Sequence, residues 1–192
     1  MSETIKLHNF YNHLSRFTCI TAKEFEKCLP YFSNRTLKKG DTLIKPGEKV
    51  FQTNWVIKGL LISTFTDNNG KEHVIQFANE GCWITDPQAF YLQQRAIFNI
   101  TCLEQTELIS ISFDNREKLC NAISGMEHFF RIKANDSFVK QQKRLLTFLS
   151  NDATERFNLL LKEYPDLLQR VSKKILASYL GVSRETLSRL KK

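Results

Sequence analysis

Between Leu37 and Ser112 the apolar residues recur at every second position, while on either side they recur every third or fourth. A period of two belongs to pleated strands and a period near 3.6 to helices, so this stretch must be sheet set between helical flanks. Six strands are expected: Thr42–Lys45, Asn54–Ile57, Leu60–Thr66, Lys71–Phe77, Ile97–Leu103 and Glu107–Ser112. Turn residues punctuate them at Lys39-Gly40-Asp41, Pro46-Gly47-Glu48, Lys58-Gly59, Asn68-Asn69-Gly70 and Glu80-Gly81. The Asn69-Gly70 pair is a strong hairpin signal. Many short strands with regular turns make a small β-barrel or sandwich, whose inward residues often enclose a ligand cavity.

The flanks make the fold class α+β. A helix is expected over Glu3–Phe17, with Ile5, Leu7, Phe10, Tyr11 and Leu14 on its apolar face. Thr21-Ala22-Lys23-Glu24 has capping-box spacing ahead of Phe25, Cys28 and Leu29, so a second helix starts there. Beyond Phe113 a short helix is expected over Lys118–Ile123 and a long one over Met126–Leu149. The long helix carries Phe130, Ala134, Phe138, Leu145 and Phe148 at spacings of three, four or seven, interrupted by the polar Gln141. One apolar seam on so long a helix suggests dimerisation, the alternative being that it packs on its own barrel. Asn151 and Asp152 end that helix, Asp152 through Glu155 can cap another, and Pro165 stops it. The expected division is a β-rich domain over 1–125, a dimerisation helix over 126–150 and a C-terminal domain over 151–192.

The last stretch, Lys173 to Lys192, fits two short helices and a tight turn. Leu176, Ala177 and Leu180 form one apolar face, and Leu187 and Leu190 a second. Gly181 falls where the first helix must stop, and Val182 follows as a buried plug. Ser183 is a good N-cap, and Glu185 suits the first turn of the second helix. This is the pattern of a helix-turn-helix, whose second helix enters the DNA major groove.

Charge agrees. From Gln169 to Lys192 there are seven cations (Arg170, Lys173, Lys174, Arg184, Arg189, Lys191, Lys192) against the single anion Glu185, in a chain of net charge +8. Clustered basic charge is the footprint of phosphate binding, whereas the plainer reading is a solvated amphipathic hairpin. No apolar run approaches the roughly 20 residues of a membrane helix, and Met-Ser-Glu-Thr-Ile-Lys lacks a signal-peptide core, so a soluble, cytoplasmic protein is expected. Five cysteines at irregular spacing do not suggest a disulfide framework. No nucleophile–base pair, carboxylate pair or phosphate loop stands at working spacing, so no enzyme is expected.

Four stretches in order resemble the Crp/Fnr superfamily of bacterial transcription regulators: Lys38 to Glu48, the Val56-Ile57-Lys58-Gly59 turn, Thr154-Glu155-Arg156-Phe157, and Val182 to Arg189. The resemblance spans nearly the whole chain. It implies a cyclic-nucleotide-binding-type β-roll, a long dimer helix and a C-terminal helix-turn-helix binding double-stranded DNA as a homodimer. It also makes RNA polymerase a candidate partner. In members of the cyclic-AMP receptor type an Arg-Glu-x-x-x-Arg run reads bases, and here that run is Arg184-Glu185-Thr186-Leu187-Ser188-Arg189. Arginine pairs with guanine and glutamate accepts from cytosine, while Ser183, Ser188, Lys173, Lys174 and Lys191 are placed for the surrounding contacts. The alternative for Glu185 and Arg189 is an intrahelical salt bridge. A protein-interaction module whose helix-turn-helix contacts a protein is the competing reading of the whole. The segment from Pro165 to Lys173 leaves little room for a hairpin wing.

The family's effector site carries over poorly. Its Gly-Glu pair, which holds a ribose hydroxyl, falls on Thr85-Asp86, and its phosphate-holding Arg pair falls on Ala96-Ile97. Alanine neutralises no phosphate, and Arg95 alternates to the other face. Asp86 before Pro87 is also a plain N-cap. The pocket formed by Thr85, Asp86 and Arg95 is then empty or takes a less anionic ligand, and no cofactor is assigned. Cys19, Cys28, Cys82, Cys102 and Cys120 lack the spacing of an iron–sulfur site, so no metal is expected. Haem ligation by one of the four histidines is left open.

Overall fold

The structure, a computed structural model, describes residues 3–190. Its elements run α1 (Glu3–Ser15), α2 (Ala22–Cys28), a 3-10 turn (Leu29–Tyr31), β1 (Phe32–Leu37), β2 (Thr42–Ile44), β3 (Gln52–Lys58), β4 (Leu61–Thr66) and β5 (Glu72–Ala78). They continue with β6 (Trp83–Ile84), α3 (Pro87–Tyr91), β7 (Asn99–Cys102), β8 (Thr106–Ser112), α4 (Phe113–Ala122) and α5 (Met126–Ser150). The end of the chain is helical: α6 (Ala153–Glu163), α7 (Leu167–Arg170), α8 (Lys173–Leu180) and α9 (Arg184–Leu190). The chain forms two compact units. One takes the chain up to Ser63 and again Phe77–Ala134; the other takes Thr64–Gln76 and the chain from Asn135 on.

The strands form two four-stranded sheets, ordered β1-β8-β3-β6 and β2-β7-β4-β5. Strands β3 and β8 are buried along most of their length rather than on alternate residues. The reason is that both faces are covered, so apolar residues are needed at every position. Trp55 pairs with Ile109 and Val56 with Leu108. The first pair joins a core with α1, α2, α4 and the start of α5, built on Phe10, Leu14, Phe25, Met126 and Phe129. The second pair joins a core inside the roll with Ile44, Leu61, Ile84, Phe90, Ala96 and Ile100. Inside the first core His13 accepts a hydrogen bond from Trp83 Nε1 at 3.0 Å. Burial, with Lys133 and Arg16 nearby, pulls the imidazole down to about 4.

The six expected strands are present, with ends shifted by a few residues, and two more accompany them. Strand β1 is polar and half exposed, because it sits at a sheet edge and pairs only with β8, so it lacks the alternation that marks its neighbours. Strand β6 is two residues long and carries no period at all. Helix α4 starts earlier than Lys118 because Ser112 caps it, accepting from Asn115 N at 3.1 Å. The Lys58-Gly59 turn needs its glycine: φ is +110°, and a Cβ there would meet Gln105 O at 2.7 Å.

In the second unit, α6 carries the expected capping box, with Asp152 accepting from Thr154 N and Glu155 N. Phe157, Leu160, Leu167, Val171, Leu176, Ala177, Leu180 and Leu187 are buried. The β4–β5 hairpin turns at Asp67–Lys71, where Gly70 has positive φ, as the Asn69-Gly70 pair implied. Arg144 Nη2 donates to Val74 O at 2.9 Å, so the hairpin is tied to α5. The apolar side of α5 is differently composed from the expected seam. Phe130 lies in the core of the first unit. Phe148 faces the C-terminal helices, its ring 3.0 Å from where a Cβ on Gly181 would stand. What remains on the surface of α5 is Phe138, Val139, Leu145, Leu146 and Leu149, each between 47% and 75% exposed.

Candidate nucleic-acid interface

Helix α8 is capped by Ser172 and ends at Gly181, whose left-handed backbone (φ 68°, ψ 33°) turns the chain. Val182 N then donates to Ala177 O at 3.0 Å, closing a Schellman-type stop. Val182 is half-buried rather than a sealed plug. Ser183 caps α9, its Oγ accepting from Thr186 N at 3.1 Å, and Leu187 anchors the helix in the core. With Leu187 inside, Ser183, Arg184, Glu185, Ser188 and Arg189 are left on the surface, as are Lys173 and Lys174 at the start of α8. Lys191 and Lys192 lie outside the described residues.

Among the described residues no ion pair joins Glu185 to Arg189, and the side chains of Arg184, Ser188 and Arg189 make no hydrogen bond. The Glu185 carboxyl is held below the usual glutamate range. Hydrogen bonding from Ser183 contributes most, followed by the residue's own N–H and the charges of Arg184 and Arg189. It is therefore an ionised acceptor aimed at solvent, between two unengaged guanidinium groups.

Two residues that seat this hairpin are not evident from sequence motifs. Arg156 Nε donates to Leu180 O at 3.1 Å and its Nη1 to Asn151 O at 2.8 Å. Arg144 stacks on the Tyr179 ring at 3.7 Å and donates to Tyr179 O at 3.3 Å. Both also lie over Phe148. Only the position of Arg156 within Thr154-Glu155-Arg156-Phe157 hinted at a role; a basic residue on a helix otherwise reads as solvated.

The β-roll cassette is built differently. Asp86 is fully buried. Its Oδ1 accepts from Ala89 N at 3.0 Å, capping α3, and its Oδ2 accepts from Ile97 N at 2.8 Å and Phe98 N at 2.9 Å. Thr85 Oγ1 donates to Gln52 O at 3.0 Å. Arg95 is exposed and donates to Gly47 O at 2.7 Å, bracing the Pro46-Gly47 turn. Ala96 belongs to the apolar core of the roll. The three side chains expected to share an effector pocket thus each engage a different part of the backbone. None of the five cysteines is in a disulfide, and burial raises the Cys28 thiol to about 11. Among the described residues no helix is long and apolar enough to cross a membrane.

The architecture is thus a double-sheet roll with a capped cassette, followed in the chain by a long helix and a helical hairpin with a tight turn. Residues 34–122 match the family model of the cyclic nucleotide-binding domain. The chain also shares its fold with solved structures, each under 20% identical to it. It is similar to FixK2 from Bradyrhizobium japonicum, at 15% identity and TM-score 0.72, over 83% of this chain and 82% of that one. It is also similar to the Thermus thermophilus catabolite activator protein, at 19% identity and TM-score 0.60, over 93% and 84% of the two chains. A third such structure is the c-di-GMP responsive global regulator CLP of Xanthomonas campestris, at 19% identity and TM-score 0.68, over 88% and 89%. No curated protein matches the sequence at a significant level.

Proposed function

We propose that the protein is a DNA-binding transcription regulator that reads a two-fold site as a homodimer, through α9, without using cyclic AMP. The observation that carries this is the set of charged side chains on α9. Arg184, Glu185 and Arg189 are exposed on a capped helix and form no ion pair with one another. Arginines without an ion-pair partner are available for guanine edges, and the exposed Glu185 carboxylate, held by local hydrogen bonds from Ser183 and its own N–H, can still accept from a cytosine amino group. Lys173 and Lys174, exposed at the start of α8, supply positive charge for phosphates, which positions the helix without specifying sequence.

The exposed Phe138, Leu145 and Leu149 of α5 support a dimer, since an apolar stripe of that length is costly in water and is covered by a second copy. On this reading 126–150 is the dimer helix and 151–192 the DNA-binding part. Two observations support an effector other than cyclic AMP: Ala96 offers its phosphate no charge, and Asp86 already takes the neighbouring backbone donors.

Selection from random duplex DNA tests the reading. The expected product is a two-fold motif containing guanines in each half, bound with an affinity that falls steeply with salt. Light scattering at micromolar concentration should give twice the 22.4 kDa of one chain, and Phe138→Glu with Leu145→Glu should give monomers. No enrichment, with no retention on a DNA column at low salt, would instead favour a protein partner for the helix-turn-helix. Submicromolar calorimetric binding of cyclic AMP would overturn the effector part alone.

A further inference from the structure

The second unit contains a cleft of about 590 Å³ that the DNA-binding reading does not use, bounded by the C-terminal half of α5, by α6 and by the end of α8. We propose that it binds a small amphipathic anion: an acyl or aryl body carrying an acidic head group. Its volume lies within the range of small-molecule sites. Its lining is divided between apolar and basic groups. Leu146, Leu159 and Leu160 give an apolar wall, and the first two are 59% and 45% exposed, so they have no cover within the chain.

Around that wall stand Lys140, Lys143, Arg144, Arg156 and Lys162, against the single carboxylate of Glu163. Lys140, Lys143 and Lys162 are exposed and take no ion-pair partner among the described residues. Arg156 is already committed to two carbonyls. Arg144 is only half committed. Its Nη2 serves Val74 O and Tyr179 O, while its Nη1 is buried with no hydrogen-bond partner. A buried guanidinium donor without an acceptor is rare in folded proteins, and the missing partner is an anion's natural place. An acidic head group on Arg144, drawn in by the lysines, would lay its apolar body over Leu146 and Leu159.

Tyr179 and Leu180, at the end of the first helix of the helix-turn-helix, also line the cleft, so an occupant would touch the element that carries α9. The site itself stands whether or not the chain binds DNA.

The test uses the full chain at about 0.15 M salt, where surface attraction is largely screened. The probe is 8-anilinonaphthalene-1-sulfonate, read by fluorescence, with decanoate and 1-decanol as competitors. One saturable site per chain is expected, displaced by decanoate and about tenfold less well by 1-decanol, which lacks the charge. Lys143→Glu with Lys162→Glu should weaken the probe about tenfold or more, and Leu159→Asp should do the same by spoiling the wall. Circular dichroism checks that each variant folds; should the charge reversal unfold, Lys143→Gln with Lys162→Gln takes its place. Phe138→Glu with Leu145→Glu leaves the cleft intact and should leave binding unchanged. The proposal is overturned by non-saturable binding, by equal displacement with the alcohol, or by binding indifferent to the cleft variants. Loss of the probe in the Phe138/Leu145 variant also overturns it, since the dye would then report the α5 stripe. Because no DNA is present, these outcomes are independent of the DNA-binding proposal.

Discussion

The cassette around α3 and the C-terminal helix α9 begin alike. In each, a side-chain oxygen at the N-cap accepts from the N–H three residues on: Asp86 from Ala89, Ser183 from Thr186. They then part. Around α3 the second Asp86 oxygen takes two further backbone donors, and Thr85 and Arg95 turn to carbonyls. Around α9 the arginines and Ser188 turn to solvent, and no ion pair holds either arginine among the described residues. The same capping chemistry thus serves a closed structural joint in one place and an open, charged surface in the other. The difference teaches that a motif position is open to a ligand only where the fold leaves its polar groups unspent.

The contrast breaks most sharply at Asp86. Asp86→Ala leaves buried N–H groups of Ala89, Ile97 and Phe98 without acceptors, and should cost about 3 kcal/mol or more in urea unfolding. Asp86→Ser keeps the cap and should recover part of that loss; the remainder measures what Oδ2 does. A fully stable Asp86→Ala would mean the cassette is not the closed joint described here.

On the open side, Arg184→Ala and Arg189→Ala should each weaken a specific site by about 1–3 kcal/mol and relax preference at one base pair, with little effect on stability. Titration of the variants against the selected motif and against its single-base changes decides this. Equal losses on every sequence would reduce both arginines to phosphate contacts.

His13 offers a titratable version of the closed joint. Its folded value is about 4, below the ordinary 6.5. The unfolded chain therefore binds the extra proton between those values, so the contribution is whole above pH 6.5 and is lost as pH falls toward 4. Allowing for the partial exposure of the ring, the loss should be on the order of 1–2 kcal/mol. His13→Gln keeps an acceptor for Trp83 but cannot titrate in this range. The urea midpoints of wild type and variant should converge as pH falls from neutrality to about 5, and parallel curves would disprove the assignment.

Glu185→Ala is the smallest and finest test. Removing a carboxylate from a phosphate-facing surface should leave non-specific binding unchanged or slightly tighter, while selection stringency drops. If wild type and variant recover one motif with equal stringency, Glu185 reads no base.

The sequence by itself determined the elements and their order. The change of period at Leu37 and Phe113, the turn glycines and the Asp152 and Ser183 caps are local signals, and local hydrogen bonds and steric limits enforce them wherever the chain goes. Glu185 and Arg189 were legible for the same reason: their exposure follows from the burial of Leu187 on the opposite face of one helix, while Arg184 is exposed as the helix's first residue. Strand β1 was not, because an edge strand needs no alternation and takes its identity from β8. The fate of Asp86 was only partly legible. Its cap to Ala89 is local, but its bonds to Ile97 and Phe98 depend on a loop brought back from eleven and twelve residues away. Phe130, Phe148 and Leu145 share one periodicity, yet the first joins the core beneath α1 and α2, the second faces Gly181 and the third is exposed. Periodicity names the residues a helix has to bury, and only tertiary packing decides which neighbour buries them or leaves them for a partner.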